Sequence, residues 1–150
     1  MKKISILLAI LMIFTTTSYA VESPKPETIK SIEELSSIDN ELYMVINNII
    51  NCNYNKDKES QTLSFIRTRL GDVMYMNYVY YSSKDIDLLS NRESAIVIYT
   101  ASVYGLAINA LAIYLEDPDR NQSYLIDAIA QYKSGNTSLL VAKEFVKERK

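Results

Sequence analysis

The stretch SAIVIYTASVYGLAINALAIYL, residues 94–115, carries no Asp, Glu, Lys or Arg. As a helix rising 1.5 Å per residue it reaches about 30 Å, the thickness of a bilayer's hydrocarbon core. Such a stretch is either a membrane span or the inner helix of a packed domain. Three features favour the second. Asn109 places a lone amide deep in the stretch, where lipid offers it no partner. The segment just beyond is acidic (Glu116, Asp117, Asp119, with Arg120), whereas the cytoplasmic flank of a stop-transfer helix is normally basic. Tyr99, Tyr104 and Tyr114 are spread along the stretch instead of gathering at two interfaces. A helix that is apolar all round, with small residues at 101, 105 and 112, suits burial among neighbouring helices.

The chain opens MKKISILLAILMIFTTTSYA. Lys2 and Lys3 precede an apolar run from Ile4 to Phe14, and Ser18-Tyr19-Ala20 has the small-x-small form of a cleavage site. Residues 1–20 therefore read as a secretory signal peptide, cleaved after Ala20, which predicts a periplasmic or secreted bacterial protein. Loss of Lys2 and Lys3 takes the formal net charge from −2 to −4. With no basic cluster, nucleic acid is not an expected partner. Cys52 is the single cysteine, so an oxidising compartment supplies no intrachain disulfide and the fold must rest on packing. Cys52 is expected to be a half-buried small apolar residue, with an intermolecular disulfide as the alternative.

Outward from the charge-free stretch, helical periodicity recurs. Residues 21–26 form a proline-containing flexible lead-in. Ile29, Ile32, Leu35, Ile38, Leu42, Val45, Ile46 and Ile49 follow at three- and four-residue steps, an amphipathic stripe. The Ser36–Asn40 segment is expected to break it, since Ser, Asp and Asn prefer caps to helix interiors. Leu63, Ile66, Leu70, Val73 and Met74 make a second stripe. It runs into residues 73–81, whose aromatic and β-branched residues also suit a strand, although helix is preferred. Ser90-x-x-Glu93 has the form of a capping box that starts the central helix at Asn91. Pro118 ends that helix, and Asp119 with Gln122 resembles a further box. Gly135 is expected to stop the next helix, and a last one carries Leu140, Val141, Phe145 and Val146. The sum is an all-α, single-domain bundle of about five helices, residues 27–150, packed around a central apolar helix at 91–115.

The chemistry is narrowed by exclusion. The sequence has no histidine, which removes His-activated nucleophiles and the commonest zinc ligand. Its 3 glycines are far apart, so no phosphate-cradling loop can be drawn. Asp85 and Asp87, and Glu116, Asp117 and Asp119, lie in turn-like segments where carboxylates act as caps. No cofactor or metal is expected, and neither is catalysis. Tyrosine is in excess, with 12 residues against no tryptophan. Tyr75, Met76, Tyr78, Tyr80 and Tyr81 cover more than one face of a helix, so some must leave the core. These five are the candidate partner interface, because Tyr and Met suit surfaces that are apolar on one side and wet on the other. Asn77 and Asn109, each polar within an apolar run, are a candidate buried polar pair fixing helix register.

In profile (small, exported, helical, without catalytic residues) the chain is similar to immunity and inhibitor proteins that neutralise enzymes in the bacterial envelope. Periplasmic adaptors share that profile. The expected function is non-catalytic binding of another protein, such as an envelope-acting enzyme, with a second copy of the chain as a further candidate partner. The alternatives are a carrier of an apolar small molecule or lipid in a tyrosine-lined cavity, and a single-pass membrane subunit spanning 94–115.

Overall fold

A computed structural model describes residues 26–82 and 88–148, with side chains at 26–79 and 92–148. The fold is all-α. Among the described residues four helices account for it: α1 (Pro26–Ile50), α2 (Lys56–Ser82), α3 (Leu88–Glu116) and α4 (Gln122–Lys147). Each packs antiparallel beside its chain neighbours, as short connections require. α1 closes the ring against α4 and also touches α3 across the centre, whereas α2 and α4 do not meet among the described residues. α3, which holds the charge-free stretch, is thus covered by all three other helices. Half of its most apolar window is buried.

The break expected at Ser36–Asn40 and the stop expected at Gly135 do not occur, and four helices stand among the described residues where about five were expected. At Ser36 the hydroxyl donates back to the Ile32 carbonyl at 2.6 Å, and Ser37 donates to Glu41 at 3.0 Å. Neither serine competes for the backbone amides, so burial of Leu35, Ile38 and Leu42 carries the helix through. Gly135 is not a stop either. It lies buried within α4, and a Cβ built on it would stand 2.5 Å from Cε1 of Tyr104. The glycine is there because the Tyr104 ring of α3 occupies the space a side chain would need. Residues 73–81 lie within α2, resolving their ambiguity in favour of helix. α1 starts at Pro26, inside the expected lead-in, and α3 starts at Leu88, ahead of Asn91.

The helix ends follow local chemistry. After α1, Cys52 N donates to Ile49 O at 3.0 Å and Asn53 N to Asn48 O at 2.9 Å. This is a Schellman closure, and it puts Cys52 in the left-handed region at φ 53. Cys52 is exposed, so the expected half-buried position is corrected: a residue just past a helix end points away from the core. Asn55 caps α2 by accepting from the Lys58 amide at 3.0 Å. The α3 terminus is closed by two side chains, Asn121 Nδ2 on Ile113 O at 2.8 Å and Lys56 Nζ on Glu116 O at 3.2 Å. Asn121 occupies the N-cap of α4 without a side-chain cap bond, in place of the box expected from Asp119 and Gln122.

Two substitutions test these assignments by urea denaturation. Gly135→Ala should destabilise by about 2 kcal/mol, because overpacking against an immobile ring outweighs the better helix propensity of alanine. Cys52→Gly should stabilise by about 0.5–1 kcal/mol by relieving the left-handed strain at a non-glycine residue.

Candidate interaction surface

α2 positions the tyrosine-rich segment. Its inner face is complete with Leu63, Ile66, Leu70, Val73 and Asn77, all buried. Met74 packs half-buried against the same core. With that face filled, the remaining rings point outward: Tyr75 is 72% exposed and Tyr78 63%. Val79 and Phe65 are exposed too, and Met76 is half-buried beside Lys30, Glu34 and Arg69. The side chains of Tyr80 and Tyr81 lie outside the described residues. Of the five expected interface residues, Tyr75, Met76 and Tyr78 are therefore placed on or near the surface of one helix.

The expected Asn77–Asn109 pair is corrected. Asn77 is buried, but its amide donates to Ser31 Oγ of α1 and to Val73 O, each at 2.8 Å. Asn109 is exposed on the outer side of α3 and accepts from Arg67 Nη2 at 2.7 Å. The two asparagines sit on different sides of the bundle, because Asn77 belongs to the face of α2 that meets α1. Each amide still joins two helices, through partners the sequence did not suggest.

Two further polar groups were missed. Arg69 of α2 reaches α1, bonding Glu34 through Nε, Glu41 through Nη1 at 2.6 Å and Ser37 through Nη2 at 3.0 Å. Burial works to lower the Arg69 pKa, but the hydrogen bonds and charges of Glu41 and Glu34 outweigh it and the net shift is upward. The second group centres on Asp39 of α1. Tyr104 Oη donates to Asp39 Oδ1 at 2.6 Å, and Asn136 Nδ2 of α4 lies 3.1 Å from both carboxylate oxygens. Tyr132 stacks on Tyr104 with ring centroids 6.2 Å apart and also faces Tyr43. By residue type alone Asp39 belongs to the break expected at Ser36–Asn40. An acid between Ile38 and Leu42 in an unbroken stripe is the signal that could have found it.

Burial, followed by the Asp39 hydrogen bond, raises the Tyr104 pKa, and burial with the Asp39 charge pushes Tyr132 up to about 12. Tyrosines held neutral this strongly are poor general bases and poor nucleophiles, so the Asp39 cluster is a clip between helices. Glu116 is exposed, and Asp117 is paired with Arg120 at 3.5 Å. Asp85 and Asp87 lie outside the described residues. Among the described residues no group of three or more Asp, Glu or Cys side chains is arranged to hold a metal ion.

The chain matches no family model, no curated protein and no solved structure. Its function has to come from its own residues.

The clip makes a pH prediction. Tyr132 has its folded pKa raised above the unfolded value of about 10, so the neutral phenol is what the fold favours. Its contribution to stability is whole below pH 10 and is lost as pH rises through about 12. Urea midpoints measured across that window should fall, and Tyr132→Phe should flatten the fall.

Proposed function

We propose that this protein is an exported, non-catalytic helical binder of another protein, of the immunity, inhibitor or adaptor kind, acting in the bacterial envelope. The signal sequence at 1–20 supports export. The observation that carries the binding reading is the outward display of Tyr75 and Tyr78 on a helix whose inner face is already filled. Large amphipathic rings contribute most when a partner dehydrates them, and they are enriched among residues that dominate interface energetics. An envelope-acting enzyme is the partner class that best suits the profile.

Carriage of an apolar small molecule is the second reading. A concavity of about 430 Å³ lies between α2 and α3, lined by Tyr78, Ala95, Ile98, Tyr99 and Ser102. It is open along one side, which suits a protein side chain better than a ligand that must be enclosed. Against the membrane-subunit alternative stands the cover that α1, α2 and α4 provide for α3.

The test is affinity capture from envelope extract with the chain lacking residues 1–20, followed by mass spectrometry. The paired variant Tyr75→Ala/Tyr78→Ala should weaken binding to the captured enzyme at least 10-fold. Its stability should change by no more than about 1 kcal/mol, since both rings are exposed. Equal loss of binding and of melting temperature would make the rings part of the core and remove the proposal. Extraction of lipid with no protein captured would favour the carrier.

A further inference from the structure

The outer face of α3 has a pattern of its own, bordered by Tyr78 of α2 at Ala95, Tyr99 and Ser102. Arg92, Ala95, Tyr99, Ser102, Leu106, Asn109, Ile113 and Glu116 follow one another at alternating steps of three and four. All are exposed except the half-buried Ser102 and together they form the one row of α3 turned away from the bundle. Tyr99 is 56% exposed, Leu106 53% and Ile113 37%. Alternation of three and four is the spacing of a coiled-coil seam, the narrow stripe by which one helix packs along another. Within the fold it is touched from the sides, by Arg67 of α2 at Asn109 and by the Phe145 ring of α4 at Arg92, while the row as a whole stays exposed.

We propose that a second copy of this chain covers the seam, with α3 lying antiparallel against α3 of its partner about a two-fold axis level with Tyr104. In that register every seam residue meets one that complements it. Arg92 faces Glu116 at both ends of the contact, so two ion pairs close it. Small residues face large ones, Ala95 against Ile113 and Ser102 against Leu106. The Tyr99 ring faces Asn109, whose carbonyl is held by Arg67. Asp117 is already tied to Arg120, which leaves Glu116 to meet Arg92. A parallel pairing would set Arg92 on Arg92 and Glu116 on Glu116, so charge selects the antiparallel one. Between the two ends the seam's own side chains are uncharged, and the Arg67 guanidinium beside it is held by the Asn109 amide oxygen.

The experiment uses the chain lacking residues 1–20 with Cys52→Ser, so that the exposed native thiol does not interfere. Sedimentation should show a dimer. Arg92→Glu and Glu116→Arg should each weaken association at least 10-fold, and the two combined should restore it. The combined variant also controls for the loss of Arg92 packing on the Phe145 ring. On mild oxidation, Ala95→Cys protein mixed with Ile113→Cys protein should cross-link, while Ala95→Cys alone should not, because antiparallel copies place its two thiols about 27 Å apart. A monomer at all concentrations overturns the proposal, as does a dimer indifferent to the charge swap, the reverse cross-linking pattern, or uptake of the chain by phospholipid vesicles. Partner capture is scored with the Arg92→Glu and Glu116→Arg variants, which keep Tyr75 and Tyr78, so either idea can fail alone.

Discussion

Tyr104 is a large side chain buried to completion in the middle of a four-helix bundle, and its accommodation sets the spacing of three helices. A buried phenol needs a hole for its ring and an acceptor for its hydroxyl, since an unpaired polar group in the interior is costly. α4 supplies the hole by having no side chain at Gly135. α1 supplies the acceptor at Asp39, whose carboxylate is held in turn by Asn136. One ring therefore joins α1, α3 and α4, and it does so through contacts that tolerate little change in size.

α2 stands outside that clip and is attached by different means. Its apolar row enters the common core, while Arg69 and Asn77 tie it to α1 through Glu34, Glu41 and Ser31. Those two attachments lie on the side of α2 that meets α1, while Arg67 and Lys56 reach Asn109 and Glu116 of α3. The outward face of α2 carries rings that the core does not need. The same economy applies to α3, which serves the interior with one face and leaves a narrow row outside. A bundle built this way keeps its apolar core apart from its candidate binding surfaces, which share only edge contacts such as Arg67–Asn109 with the fold.

Much of this architecture could be read from local pattern. The stripe of α1 is buried at Ile32, Leu35, Ile38, Leu42, Val45, Ile46 and Ile49, as its periodicity indicates. The apolar all-round character of residues 94–115 pointed to a helix with neighbours on several sides. Residue-type rules failed where a tertiary contact outweighed them. Serines and an aspartate in α1 look like a break until Asp39 finds Tyr104. Gly135 looks like a stop until the ring beside it is seen. Asn77 and Asn109 look alike in sequence, yet one is buried against α1 and the other lies on the outer side of α3.

The sequence by itself determined the helical class, the helix made without charge, and the tyrosine surplus that no single inner face could hold. These are properties of spacing and composition, which local physics reads directly. Tertiary structure alone decided the number of helices, the partner of every buried polar group and which row of α3 stays outside. Those outcomes depend on residues tens of positions apart meeting in space, and on a helix that is apolar on all sides no periodicity marks the face left uncovered.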